Sequence, residues 1–107
     1  MSEELKTKLN EIVKLLVEAC HPTRIILFGS YARGTQKEES DIDILVIEKN
    51  VVSKADEIVR LCRILSPTGL SVDLIVVDEA TFQYWAETPG TVHYDASVEG
   101  KTLYEAA

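Results

Sequence analysis

The sequence predicts an α+β fold: a small mixed sheet flanked by helices, as one domain spanning residues 1–107. Three observations lead there. Short apolar runs of strand length end at Phe28, Ile47 and Val77. Stretches with the 3.6-residue helical period surround them. The second and third runs are separated by one helix, and a strand–helix–strand crossover is right-handed and leaves its two strands parallel.

Ser2 to Cys20 opens the chain as an amphipathic helix. Leu5, Leu9, Ile12, Val13, Leu16, Val17 and Cys20 form its apolar stripe, Ser2 caps it, and Glu3 and Glu4 sit in its first turn. His21-Pro22 ends it, and His21 reads as structural. Ile25 to Phe28 is the first strand, and Ser30 to Arg33 a helical turn broken by Gly34. Thr35 to Ser40 is a polar loop. The second strand runs from Asp41 to Ile47. Ser53 then caps a helix to about Leu65, with Ile58, Val59, Leu61, Cys62 and Leu65 as its apolar stripe and Pro67 and Gly69 closing it. Ser71 to Val77 is the third strand. Asp78 caps a helix carrying Phe82, Trp85 and Ala86, and Thr88-Pro89-Gly90 interrupts it. A short helix follows from Thr91 to Val98, then Thr102 to Tyr104 as a terminal strand or tail. Phe82 and Trp85 read as core, Tyr84 and Tyr94 as candidates for a docking surface. Cys20 and Cys62 read as buried, reduced thiols.

The chemistry concentrates between Leu27 and Ile47. Side chains alternate along a strand, so Asp41 and Asp43 share a face, their Cα atoms about 7 Å apart. Leu45 and Ile47 turn that face apolar within two residues, and a local break in the packing rule marks a functional position. Asp73 repeats the pattern at the start of the third strand. Three acids at strand mouths repel unless a cation neutralises them, and hard divalent ions, Mg²⁺ or Mn²⁺, suit carboxylate oxygens. At Gly29-Ser30 the missing Cβ admits a ligand close to the backbone. A hydroxyl and free N–H groups there suit phosphate. Arg33 lies on the side of Ser30, placed either for triphosphate oxygens or for a salt bridge to a site acid. For Gly29-Ser30 to meet the acids, strand one must run antiparallel to the other two.

Gly29-Ser30, ten residues, Asp41-x-Asp43 and the later Asp73 resemble the nucleotidyltransferase superfamily built on the polymerase-β fold. The run GSYARGTQKEESDIDILV resembles its smallest branch, the minimal nucleotidyltransferase (MNT) antitoxins partnered with HEPN toxins. The resemblance covers nearly the whole chain. It implies Mg²⁺-dependent transfer of AMP from ATP to a tyrosine hydroxyl of a HEPN ribonuclease toxin, in hetero-oligomeric complex with it. Asp41, Asp43 and Asp73 are then metal ligands and catalytic, with Asp73 orienting or deprotonating the acceptor. Ser30 is catalytic too, and Gly29, Ser30 and Arg33 bind the nucleotide. Two alternatives stand beside it: an antitoxin that neutralises by binding alone, and a transferase acting on a small molecule.

Charge narrows the partners. The net charge of −7 leaves no broad basic face for a phosphate backbone, which argues against a nucleic-acid substrate. With no signal peptide or bilayer-length apolar run, the sequence points to a cytoplasmic protein with no membrane contact.

Overall fold

The computed structural model describes residues 2–37 and 40–106. Four strands, β1 (Arg24–Phe28), β2 (Ile42–Glu48), β3 (Val72–Asp78) and β4 (Lys101–Glu105), form one sheet in the order β3-β2-β1-β4. β2 and β3 run parallel, while β1 is antiparallel to both its neighbours, β2 and β4. The arrangement required to bring the motifs together is therefore the one adopted. The terminal segment is a strand, stitched to β1 through a register shift at Ile25/Ile26.

The helices are α1 (Glu3–Cys20), α2 (Gly29–Arg33), α3 (Lys54–Leu65), α4 (Glu79–Trp85) and α5 (Val92–Glu99), with a 3₁₀ turn over Ser66–Thr68. α1 and α3 cover one face of the sheet. Leu9, Ile12 and Leu16 of α1 and Leu61 and Leu65 of α3 are buried with Ile25, Leu27, Ile42, Ile44, Val46, Leu74 and Val76. α4 and α5 cover the other, where Phe82 and Ala96 meet Ile26, Phe28, Leu45, Ile47 and Val77. Each fully buried aliphatic side chain contributes about 1.5–3 kcal/mol, so two apolar faces of a four-stranded sheet hold the layers together. No helix among the described residues is long and apolar enough to cross a membrane.

Local chemistry sets the helix ends. Ser2, Ser53, Asp78 and Thr91 each accept a hydrogen bond from the backbone N–H three residues on. His21 ends α1 in the left-handed region, φ 45°, its N–H donated to Val17 O at 3.0 Å. This agrees with its structural reading. In the polar loop, Lys37 N donates to Ser40 Oγ at 2.8 Å; Glu38 and Glu39 lie outside the described residues.

Two core expectations are corrected. Cys62 and Val59 are exposed: the stripe of α3 centres on Leu61 and Leu65, and these two lie on its shoulders. Trp85 is 40% exposed. It is the last residue of a two-turn helix whose buried anchor is Phe82, and it stacks edge-on against exposed Tyr84, ring centroids 4.8 Å apart. Tyr94 is half-buried.

Glu48 was not singled out by the sequence. It ends β2 only 8% exposed, its Oε2 without a hydrogen-bond partner. Burial, then the nearby Glu57 carboxylate, pushes its carboxyl up to about 7. Glu57 is held below the usual range, chiefly by Arg60, which grips both its oxygens at 2.7 and 3.0 Å. Arg60 also donates to Ala19 O at 3.0 Å, tying α3 to the end of α1. Burial likewise pushes the Cys20 thiol up to about 12.

The folded protein therefore binds a proton at Glu48 that the unfolded chain has already lost above pH about 4.5. Stability from this group is present below pH 4.5 and lost as pH rises towards 7, whereas Glu57's contribution is lost only on acidification. In chelator-containing buffer, urea unfolding should show wild-type stability falling between pH 5 and 7.5. Glu48→Gln should flatten that slope and be the more stable form at pH 8, by on the order of 1 kcal/mol. Parallel slopes for the two proteins would show that Glu48 is not protonated in the fold.

Candidate active site

The site is built where β1 ends and β2 and β3 begin. Phe28 of β1 pairs with Asp43 of β2, and Asp43 pairs in parallel register with Asp73 of β3. The two carboxylates thus stand side by side on neighbouring strands, on the face that continues into Leu45, Ile47 and Val77. Asp41 lies one residue before β2. Ser71 Oγ donates a short hydrogen bond to its Oδ1, and Ile42 N donates to Ser71 O at 2.9 Å. Ser71, which sequence reading missed, is the hydrogen-bond partner of Asp41. Its signal was available in retrospect: it precedes β3 by the same step that separates Asp41 from β2.

Asp43 is half-buried, whereas Asp41 and Asp73 are exposed. Burial pushes the Asp43 carboxyl above its usual range, and the adjacent Asp73 and then Asp41 carboxylates push it further, while Arg33 pulls weakly the other way. Neighbouring carboxylates on adjacent strands repel one another, less so where solvent screens them. Such a set favours a proton or a cation between its members. The all-oxygen donor set fits a hard divalent ion. The three aspartates are nevertheless less tightly drawn together than Cys20, Glu48 and Glu57 at the far end of β2, which are the only such group among the described residues with ligand atoms all within 4.8 Å.

Gly29 opens α2 at φ 70°, in the left-handed region. A Cβ there would collide with Asp43 Oδ2 and stand 2.9 Å from its Cγ. The turn can therefore lie against the carboxylate only because residue 29 has no side chain. Ser30 follows, half-buried. Phe28 supplies no side-chain cap to α2, so the first N–H groups of this turn are left to whatever approaches beside Ser30. Arg33 does not bridge to a site acid. It pairs with Glu99 of α5 at 3.5 Å, both side chains about half exposed, a contact 66 positions distant in the chain that no local pattern announces. On the α1 face of the sheet, opposite that of Asp43, lies a cleft of about 480 Å³, its walls including Tyr31, Ser40, Ile42, Leu70 and Ser71.

A glycine turn pressed against one of two in-register carboxylates, with a third acid one residue before its strand, suits an enzyme of nucleotidyl transfer. Comparison with known proteins agrees, and the chain belongs to the nucleotidyltransferase domain family, whose model matches residues 4–99. It is 39% identical over 82 residues to a candidate protein adenylyltransferase of Methanocaldococcus jannaschii, covering 76% of this chain and 77% of that one. It is 34% identical over 73 residues to the protein adenylyltransferase MntA of Shewanella oneidensis, covering 67% of this chain and 52% of that one. Among solved structures it is similar to a toxin–antitoxin crystallised with AMP-PNP. The TM-score is 0.64 at 28% identity, covering 92% of this chain and 73% of that one.

The contact between Gly29 and Asp43 can be isolated from backbone strain. Gly34 has nearly the same φ, 74°, with nothing within 4 Å of a built Cβ. Gly34→Ala should cost about 1 kcal/mol in urea unfolding, from left-handed strain alone. Gly29→Ala should cost about 1–3 kcal/mol more, because the carboxylate must also move. Equal losses at the two positions would mean that Gly29 is not pressed against Asp43.

Proposed function

We propose that this nucleotidyltransferase is the antitoxin of a toxin–antitoxin pair and transfers AMP from ATP to a tyrosine hydroxyl of a HEPN-type toxin. The observation that carries the reading is the in-register pair Asp43–Asp73 with side-chain-free Gly29 packed against it. It brings a phosphate turn and a divalent-cation donor set within one nucleotide's reach. The names of the relatives, protein adenylyltransferase MntA and a toxin–antitoxin with AMP-PNP, support the acceptor being a protein.

Mg²⁺ or Mn²⁺ held by Asp41, Asp43 and Asp73 would supply Lewis-acid stabilisation of charge on the phosphoryl oxygens. The chain's own residues do the rest. Gly29 lets the triphosphate approach the backbone, and Ser30 Oγ with the uncapped N–H groups beside it donates to the terminal phosphates. Ser71 holds Asp41 in place through its hydroxyl. Arg33, tethered to Glu99, sets a positive charge near the departing pyrophosphate. Asp73, exposed at the mouth of β3, orients the acceptor hydroxyl and takes its proton as the oxygen attacks the α-phosphorus. The bond between the α-phosphorus and the bridging oxygen to the β-phosphate breaks, and pyrophosphate leaves. The partner presents its hydroxyl from the open side of the site, and the AMP it receives silences it.

The test is transfer of label from α-labelled ATP to a HEPN-type toxin, with release of pyrophosphate. Label should move only with Mg²⁺ or Mn²⁺ present. Asp43→Asn should lower kcat at least 10³-fold, about 4 kcal/mol of barrier. Ser30→Ala should raise the KM for ATP by about tenfold, the value of one hydrogen bond to a charged group. Neutralisation of the toxin with no label transferred, and equally by Asp41→Asn/Asp43→Asn, would replace this reading with inhibition by binding alone.

A further inference from the structure

The end of β2 remote from the aspartates carries a second constellation that the transfer reaction does not use. Glu48 is separated from Asp43 by five residues of strand, roughly 17 Å. Cys20 Sγ, a carboxylate oxygen of Glu48 and one of Glu57 lie within 4.8 Å of one another. They come from the end of α1, the end of β2 and the first half of α3. Glu48 is more than nine-tenths buried, and its Oε2 has no hydrogen-bond partner. A buried carboxyl oxygen left unpartnered is costly; in the metal-free fold the proton held at Glu48 beside Glu57 eases that cost, and a cation would take the proton's place. Glu57 is already oriented by Arg60 at 2.7 and 3.0 Å, but a carboxylate has about four lone-pair sites, so Glu57 can keep Arg60 and still ligate. Outer hydrogen bonds of this kind are how metal-binding carboxylates are held.

We propose that Cys20, Glu48 and Glu57 form a structural site for a thiophilic divalent cation of the Zn²⁺ class, clamping α1 and α3 to the end of β2. In a tetrahedral site with bonds of about 2.0–2.3 Å, ligand atoms stand about 3.3–3.7 Å apart. The three side chains need to close by only about an ångström, with water as the fourth ligand. Binding forms one metal–sulfur and two metal–oxygen bonds and releases to solvent the thiol proton and, below about pH 7, the proton held at Glu48. Two carboxylates, a thiolate, the Arg60 guanidinium and the dication sum to zero charge. A thiolate in the set selects against Mg²⁺, whereas the all-oxygen aspartates at the other end of β2 select for it. An open cleft of about 340 Å³ beside Asn50, Ser53, Asp56 and Arg60 reaches Glu57, one of the three ligands.

The probe is Co²⁺, titrated into the whole chain under excess Mg²⁺ to occupy oxygen-only sites. A near-ultraviolet sulfur-to-cobalt charge-transfer band should grow to one equivalent and be bleached by Zn²⁺. It should persist in Cys62→Ser, whose exposed thiol lies outside the cluster, and in Asp41→Asn/Asp43→Asn. It should vanish in Cys20→Ser. Glu48→Gln and Glu57→Gln should each weaken Co²⁺ binding by about 10–100-fold. Should Cys20→Ser fail to fold, the two glutamate variants with the Cys62→Ser control decide. No band, a band that follows Cys62, or full Co²⁺ affinity in both glutamate variants would overturn the proposal.

Discussion

Repulsion between like charges at one end of a sheet is the constraint on which the rest of this protein turns. Parallel pairing of β2 and β3 places Asp43 beside Asp73, and burial together with these neighbours drives the Asp43 carboxyl above its usual range. Left alone, the arrangement opposes folding, though solvent screens the exposed Asp41 and Asp73. The fold carries it because the same strands bury apolar side chains on both faces within two residues of the acids. In the function proposed above, a cation and a polyphosphate would relieve this repulsion, so the strain and the chemistry would have one origin.

The architecture follows from that requirement. The turn after β1 must meet the start of β2, which fixes β1 as antiparallel to β2. The start of β3 must lie beside the start of β2, which demands a crossover through α3. α1 and α3 close one face and α4 and α5 the other, while β4 extends the sheet at its far edge, away from the acids. Gly29 tolerates little, since its neighbour across the turn is the central carboxylate itself.

Much of this was legible in the sequence, because the site is written in local periodicity. Asp41, Asp43 and Asp73 stand out as charges at the mouths of apolar runs, and Gly29-Ser30 as a break between strand and helix. What escaped depends on three-dimensional partners. Of the two readings of Arg33, the salt bridge to a site acid gives way to Glu99, a residue placed by the packing of α5. Ser71 is an ordinary loop residue until β3 lies beside Asp41. Cys62 and Val59 satisfied the apolar period of α3 but fall on its shoulders. Trp85 carries a core-type side chain at the end of a helix too short to bury it. Glu48 is the clearest case. As the last residue of a strand it resembles any solvated acid, and only the joint approach of α1 and α3 encloses it.

The central claim is that the three aspartates and the Gly29-Ser30 turn together form one cation-dependent nucleotide site. A crystal structure of the chain with a non-hydrolysable ATP analogue and Mn²⁺, with anomalous scattering used to locate the metal, tests it most directly. Anomalous peaks should fall between the carboxylates of Asp41 and Asp43, with the triphosphate against Gly29 and Ser30. A nucleotide bound elsewhere, or Mn²⁺ on other ligands while these aspartates stay bare, would contradict the account.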